Sequence, residues 1–485
     1  MAEEMDVYLA ALFPVLYLIL EWTIRIAMIP VIVRKQGTGE ALAWLALIFF
    51  QPVIGVIVYM IIGGSLLTNR RLEKHEEARA LVETPQRLKV LEPHTACDTS
   101  ISDRYRDLVQ LAERVGAMVP TSGNGGELIA DTDEFVRKLV DAIDKAEQHV
   151  HLLYYIWLDD TIGNTLADAV MRAAKRGVRC RVLVDDVGCK RMIRTIAPKL
   201  RGAGADVVRA LPVRILRGQF ARVDVRNHRK LAIIDGRTAF TGSHNACDPD
   251  YGSGGYGPWH DLTLRVFGPA VYQLQMVFCE DWASETGVIP EGDDVFPEPE
   301  PAGPVMVQTA PSGPGHRNEA FRDLLIASIN EAEHRVIMTT PYFIPDESTL
   351  LALLLRARAG LQVDVVVPEK GNHPLLNAAA PAYYREVLDA GGNVLLHQNG
   401  LLHSKTLTVD DSIALVGSGN FDRRSFSLNY ELNLLSIGKL ETSQVRSFQE
   451  GYINDCRPLT MAELDERSAF KALVQNTAKL FSPLL

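Results

Sequence analysis

Two stretches of this chain carry the same chemically capable residues at the same spacing. The first, NHRKLAIIDGRTAFTGSHN, holds His228, Lys230 and Asp235, then Gly242, Ser243 and Asn245. The second, LHSKTLTVDDSIALVGSGN, holds His403, Lys405 and Asp410, then Gly417, Ser418 and Asn420. A lone His-x-Lys says little, because most isolated histidines merely pack. The whole pattern twice, with each Gly-Ser pair beginning fourteen residues after its His, is far beyond chance. On an extended segment, His and the Lys two positions later share a face. The LAII and TLTV runs that follow read as buried strands holding that face rigid. Each Gly-Ser-x-Asn reads as a turn after a neighbouring strand, bringing small polar groups beside the pair. One imidazole and one ammonium do little alone, but two sets facing across a pseudo-twofold axis can clamp a phosphate from both sides.

The elements around these motifs also recur. Glu127–Ala130 reads as a strand, Asp131–Glu147 as a helix capped by Asp or Thr, and His149–Trp157 as a buried strand. Leu166–Arg176 reads as a helix and Arg179–Asp185 as the next strand. A Pro- and acid-rich stretch, Gly287–Pro314, reads as a linker or long surface connection, after which the order starts again. KAEQHVHLLYYIW (Lys145–Trp157) matches EAEHRVIMTTPYF (Glu331–Phe343), RGVRCRVLVDDVG is echoed by AGLQVDVVVPEKG, and GADVVRAL by GGNVLLHQ. The halves are diverged copies of one α/β unit. Two copies predict a pseudo-twofold pair with a shared cleft.

Upstream lies a different kind of sequence. Ala41 to Gly64 is 24 residues without a charge, and about 20 apolar residues span a bilayer core. Tyr8–Val33 forms a second candidate, interrupted by Glu21 and Arg25, which sit four apart and can pair. A cleaved signal peptide is disfavoured by the acidic start, Glu3, Glu4 and Asp6. The expectation is a two-helix transmembrane hairpin over 1–66. Arg70, Arg71, Lys74 and Arg79 follow the second span, against Arg34 and Lys35 in the short loop, which places both termini and the catalytic part in the cytoplasm. An amphipathic stretch near Glu73–Val90 is expected along the membrane surface or as a link, within a juxtamembrane segment 67–125. The halves then occupy 126–300 and 301–485.

Bulk composition narrows the classes. The chain has 485 residues, 47% of them hydrophobic and 23% charged, which suits several folded units rather than disorder. Its net charge of −10 argues against a dedicated nucleic-acid binder. The six cysteines (Cys97, Cys180, Cys189, Cys247, Cys279 and Cys456) show no CxxC or pairing pattern, so neither a zinc site nor a disulfide framework is expected. Lys190 to Lys230 is locally basic, including Arg191, Arg194, Lys199, Arg201, Arg209, Arg214, Arg217, Arg222, Arg226 and Arg229. That run reads either as a solvated face or as a contact for anionic lipid headgroups, with Leu211–Arg222, Tyr256 and Trp259 able to press into the interface.

The paired motifs resemble those of the phospholipase D superfamily, H-x-K-x4-D twice, and specifically bacterial cardiolipin synthases. The likeness extends to the N-terminal apolar region, GPWHDLTLRVFGPAV (Gly257–Val271), GNFDRRSFSLNYEL (Gly419–Leu432) and the closing SPLL (Ser482–Leu485). It departs where relatives often have Gly-Gly and this chain has Gly242-Ser243, followed by His244. The resemblance implies two phospholipase D-type α/β domains sharing one active site, and two-step transfer through a phosphohistidine. His228 would be the nucleophile and His403 the acid/base, an order that pseudo-symmetry leaves open. Lys230, Lys405, Asn245 and Asn420, with Ser243 and Ser418, would hold phosphate oxygens. Asp235 and Asp410 belong to the motif but fit a turn-tying role. Asp261 and Glu431, 33 and 28 residues after their His, suit orientation of the imidazoles, and the resemblance implies a crossed arrangement, Glu431 on His228 and Asp261 on His403. No metal or other cofactor is called for.

The expected activity is cardiolipin synthesis at a bacterial inner membrane, from two phosphatidylglycerols with release of glycerol, on a multi-pass protein that could form a homo-oligomer. A hydrolytic phospholipase D, a transferase using another headgroup donor, a nuclease and a non-catalytic lipid-binding scaffold are the competing readings.

Overall fold

The computed structural model describes residues 2–35, 37–63, 69–96, 101–212, 224–251, 257–290, 292, 294–315 and 319–466, with 475, 477 and 479. Cys97, Arg214, Arg217, Arg222, Tyr256, most of the Leu211–Arg222 segment and the closing SPLL lie outside the described residues.

The first half forms β1 (Thr121–Ile129), β2 (His149–Tyr154), β3 (Arg179–Asp185), β4 (Asp206–Ala210), β5 (Leu231–Ile234), β6 (Thr238–Gly242), β7 (Trp259–His260) and β8 (Thr263–Phe267). The second forms β9 (Val305–Ser312), β10 (Arg335–Thr339), β11 (Gln362–Pro368), β12 (Asn393–His397), β13 (Leu401–Leu402), β14 (Thr406–Val409), β15 (Ile413–Gly417), β16 (Glu431–Ile437) and β17 (Cys456–Pro458). Fifteen of these join one sheet, in the order β17-β12-β11-β10-β14-β15-β16-β9-β1-β8-β6-β5-β2-β3-β4. Outward from the central β9–β1 pair, β16-β15-β14-β10-β11-β12 repeats β8-β6-β5-β2-β3-β4. This is the duplication read from sequence, now a pseudo-twofold sheet.

Local chemistry explains the layout. Strand β2 is buried at every position, as its apolar run requires for a strand covered on both faces. It pairs in parallel with β3 through the helix Thr161–Lys175, which begins where the Asp160 side chain accepts the Gly163 N–H at 2.8 Å. The buried helix Pro269–Thr286 and its counterpart Lys439–Asn454 follow the inner strands of their halves.

Two expectations change and a third is narrowed. β1 starts at Thr121, upstream of the strand expected at Glu127–Ala130, so the boundary expected at 126 falls inside it; its TSGNGG start pairs with both β8 and β9. The expected linker Gly287–Pro314 contains β9, which pairs with β16 of its own half and with β1 of the other and so joins the two. Of the two readings of Glu73–Val90, the link applies: it forms two helices, Asn69–Val82 and Pro85–Leu91, docked on the catalytic body with Ala78, Val82 and Leu91 buried. The Arg71–Glu285 (3.1 Å) and Arg79–Glu280 (3.3 Å) ion pairs tie the first of them to Pro269–Thr286.

The apolar N-terminus also differs. Ala2–Val33 is one long helix, as expected. The second stretch breaks at Gln51–Pro52 into Thr38–Phe50 and Pro52–Val58, followed by a π-helical turn, Tyr59–Gly63. Proline lacks the N–H a continuing helix needs and pushes the residue before it out of helical geometry; Gln51 sits at φ −138°, ψ 76°. Beyond the break the chain folds back, so that Trp44 and Tyr59 meet edge to face at 5.2 Å. In one continuous helix, fifteen residues would separate them by about 22 Å. A Cβ on Gly55 would lie 2.9 Å from the Cα of Ile48, which is why a glycine stands there.

Candidate active site

His228 and Lys230 lie just before β5, and His403 and Lys405 just before β14, each held by backbone from the opposite half. The His228 N–H donates to the Tyr430 carbonyl at 2.9 Å, while the N–H groups of His403 and Ser404 donate to the His260 carbonyl, also at 2.9 Å. Strands β7 and β13 add a short parallel pair at the same junction.

The carboxylates cross between halves. His228 Nδ1 meets Glu431 Oε2 at 3.0 Å, and His403 Nδ1 meets Asp261 Oδ1 at 2.6 Å. An ionised carboxylate only accepts, so Nδ1 carries the proton in both rings and each Nε2 keeps its lone pair. Glu431 is wholly buried and accepts from Ser418 Oγ (2.6 Å), Ser425 Oγ (2.8 Å) and Asn429 Nδ2 (3.4 Å). These bonds fix its two oxygens. The Lys230 ammonium donates to the His228 carbonyl at 2.6 Å, and Lys405 makes the matching bond to His403.

Burial dominates the electrostatics. It lowers His228 to about 4 and His403 to about 3, with both lysines adding to the effect against the carboxylates. It brings Lys230 down to about 8 and Lys405 well below its usual value, Lys230 contributing to the latter. For Asp261, burial works upward, but His403, His244 and Lys405 hold the carboxyl well below its ordinary range; Glu431 is likewise held down by His228 and Lys230. Both lysines act on both imidazoles, so these four groups form one electrostatic cluster. A negatively charged phosphate entering it would relieve the repulsion and raise all four.

Several expected residues take other places. Asp235 and Asp410, counted with the catalytic set, sit at the far ends of β5 and β14. Asp235 accepts the N–H groups of Glu147, Gln148 and His149 at 2.8–2.9 Å. Asp410 accepts those of Glu333, His334 and Arg335 at the same distances. Each adopts positive φ, 52° and 46°, which Asp tolerates at a tight turn. Their work is to lock the hairpin. Ser243 and Ser418, expected on phosphate, are committed within the protein: Ser243 Oγ accepts the Leu262 N–H at 2.8 Å beside Asp261, and Ser418 holds Glu431. Asn245 Oδ1 accepts the Ile156 N–H at 3.3 Å; Asn420 Oδ1 is buried and has no hydrogen-bond partner among the described residues.

Trp259, expected at a membrane interface, is buried 4.4 Å from the His403 ring and against Tyr251, while Tyr155 lies edge-on to His228 at 4.7 Å. The basic run divides: Lys190, Arg191, Arg194, Lys199, Arg201 and Arg209 are exposed, but Arg226, Arg229 and Lys230 are interior.

Arg229, Asp281, Ser425 and the aromatic rings were not foreseen. Arg229 is the middle residue of His-x-Lys, so strand alternation turns it away from its neighbours' face. There it pairs with Asp281 at 2.7 Å and donates Nε to the Glu431 carbonyl at 3.0 Å; Asn227 Nδ2 donates to the same aspartate at 3.0 Å. A fully buried arginine needs such a partner. The signal available was the acidic pair Glu280-Asp281 within the mainly apolar run Val277–Ala283.

Comparison with known proteins agrees with this geometry. The family described as "Cardiolipin synthase, PLD-like domain" matches residues 139–253 and 325–450, and "Phospholipase_D-nuclease N-terminal" matches 22–64. Cardiolipin synthase A of Pectobacterium carotovorum subsp. carotovorum (strain PC1) is 34% identical over 94% of this chain and 95% of its own. The Serratia proteamaculans (strain 568) protein of the same name is 33% identical with the same coverage. Among solved structures, a phosphatidylserine synthase of Haemophilus influenzae Rd KW20 shares the fold, with a TM-score of 0.57 at 13% identity, over 79% of this chain and 98% of that one.

Proposed function

Because this chain belongs to the cardiolipin synthase family of PLD-like proteins, we propose that its buried His–Lys cluster transfers a phosphatidyl group from one phosphatidylglycerol to another. The chain is a phosphatidyltransferase acting on membrane phospholipid. The observation that carries the mechanism is the crossed pair of contacts, Glu431 on His228 and Asp261 on His403.

In the first step His228 Nε2 attacks phosphorus. The bond from phosphorus to the glycerol oxygen breaks, and His403 passes its proton to that oxygen. Binding of the anionic phosphodiester raises His403 so that it can hold this proton. In the second step the headgroup hydroxyl of another phosphatidylglycerol returns a proton to His403. Its oxygen then displaces the imidazole, giving cardiolipin and free His228. Lys230 and Lys405 neutralise the non-bridging oxygens, assisted by Asn245 and Asn420. Exchange of one phosphodiester for another is near thermoneutral, so a dry cleft close to the lipid favours alcohol over water. Pseudo-symmetry would serve either order of the two histidines.

We infer a place in the bacterial inner membrane, with an apolar segment at 1–66, a following segment to 120 that packs with the catalytic body, and two halves that begin at β1 (Thr121) and β9 (Val305). The test is incubation of the purified full chain with phosphatidylglycerol vesicles and mass spectrometry of the lipids. Cardiolipin with glycerol is expected, and His228→Ala or His403→Ala should lower it by at least about 10³-fold. Phosphatidic acid would instead mark a hydrolase, and unchanged lipid a scaffold. Rapid quenching and peptide mass spectrometry should find the phosphatidyl adduct on His228; its appearance on His403 reverses the order.

A further inference from the structure

The apolar N-terminus is more than one membrane crossing and less than two. Within Ala2–Val33, the 22 residues Leu12–Val33 are long and apolar enough to cross; at 1.5 Å per residue they reach about 33 Å, against about 30 Å of hydrocarbon. The next two arms fall short. Thr38–Phe50 has 13 residues, and Pro52–Val58 with Tyr59–Gly63 has seven plus five. Each arm reaches only about 18–20 Å.

The contacts give the direction of each arm. Trp44 against Tyr59 and Ile48 against Gly55 lie symmetrically about Gln51–Pro52, so the second arm retraces the first. The first arm runs antiparallel along the C-terminal part of the long helix, where Ile32, Ala41, Trp44 and Ile48 share a buried cluster. At the turn, Arg25 Nε donates to the Phe49 carbonyl at 3.1 Å. The turn is therefore level with Arg25, eight residues or about 12 Å from Val33. Beyond it the long helix continues bare, with Leu12, Phe13, Leu16 and Ile19 all more than half exposed.

This arrangement accounts for two charges inside an apolar helix. A broken helix leaves carbonyls without partners, and in hydrocarbon those must be satisfied by protein. Arg25 caps the Phe49 carbonyl and Glu21 neutralises Arg25 at 3.0 Å. Flanking charge points the same way. Glu3, Glu4 and Asp6, in the first turns of the long helix, precede the apolar span Leu12–Val33 with no Lys or Arg among them, whereas Arg34, Lys35, Arg70, Arg71 and Lys74 flank both ends of the folded-back segment. Two full crossings would put Arg34 and Lys35 opposite the other basic residues. One crossing gathers all five on the cytoplasmic side.

We propose that the chain crosses the bilayer once, through Leu12–Val33, and that Thr38–Gly63 is a re-entrant hairpin that enters and leaves on the catalytic side, its turn pinned inside the bilayer by Arg25 and Glu21. The two ends of the protein then lie on opposite faces of the membrane. This rests on the membrane reading above and adds its topology.

The test uses the full chain in spheroplasts with a membrane-impermeant maleimide, comparing Ala2→Cys and Gly37→Cys with the parent as background for the native cysteines. A side chain at position 37 has open space, since a Cβ there meets nothing within 4 Å. Cardiolipin formation by each variant reports an intact fold. Residue 2 should label in intact spheroplasts, and residue 37 only after permeabilisation, by at least about tenfold. Labelling of residue 37 from outside, or of neither residue from outside, overturns the single crossing. Release of the parent from membranes by alkaline carbonate would defeat the membrane reading itself, a separate failure.

Discussion

Each imidazole is held by a carboxylate from the other half, and the identity of that carboxylate matters more than its bulk. Glu431→Gln keeps the volume but removes the negative charge and replaces one of two acceptor oxygens with a donor, so the proton is no longer fixed on His228 Nδ1. Phosphatidyl transfer should fall on the order of 10²–10⁴-fold while the thermal midpoint moves little, and Asp261→Asn should act alike through His403. Lysine chemistry sets a second expectation. Burial brings Lys230 down to about 8, so its positive charge, needed to hold a phosphate, is lost as pH rises through that value. A plot of kcat/KM for the free enzyme should therefore bend downward near pH 8; a flat profile to pH 10 would remove Lys230 as the phosphate-holding cation. At this scale the His–Lys pairs were legible because period-two spacing and repetition both mark them. The bonds that Ser243 and Ser418 make were not legible, for a physical reason. Spacing tells which groups are neighbours but not which neighbour a hydroxyl bonds, and here both serve the carboxylate strands.

Among the elements, the β5–β6 and β14–β15 hairpins set the position of everything above them. Asp235→Asn keeps one oxygen for three backbone donors, so stability should fall by about 1–3 kcal/mol while activity per folded molecule is retained. Comparing melting curves with activity normalised to folded protein checks this; a large loss of kcat in fully folded D235N would return the residue to the catalytic set. Gly242 ends β6, at the open end of the same hairpin, at φ +152°, where a Cβ would come 2.3 Å from the Leu262 carbonyl oxygen. Gly242→Ala should cost about 1–3 kcal/mol and should lower activity by displacing Asp261. Repeats and hydropathy made the succession of strands and helices and its recurrence in the second half legible; the order of the strands in the sheet came from the structure. They showed the end of β1 at Glu127–Ala130 but not its TSGNGG start, which gains its strand character from partners on both sides. Nor does averaged hydropathy register Pro52, although the residue is plain in the sequence and decides where the apolar helix breaks.

For the whole molecule, the docking of Asn69–Val82 on Pro269–Thr286 joins the membrane segment to the catalytic body. Burial raises Glu280 from 4.5 to about 7 against the opposing pull of Arg79. A carboxyl whose folded value is raised favours the folded state fully below about pH 4.5, and that contribution is lost as pH rises through about 7. Glu280→Gln should accordingly be the more stable protein at pH 8, on the order of 1–3 kcal/mol, with little difference at pH 5. Melting curves across this range check the sign. A second contact on the same helix, His75 Nε2 to the Tyr430 hydroxyl at 2.8 Å, lies one residue from Glu431, so the membrane-proximal helix braces the strand that positions His228.

The exchange of carboxylates across the sheet has a consequence for ancestry. A single unduplicated unit, folded alone, would own an imidazole and an acid that cannot reach each other, because each acid serves the ring next door. Two identical copies side by side would complete two equal triplets of acid, ring and ammonium. Gene fusion would preserve that mutual dependence and free the copies to diverge, as Asp261 and Glu431 have. Expressed as separate polypeptides, the two halves should each be inert and recover activity only when mixed.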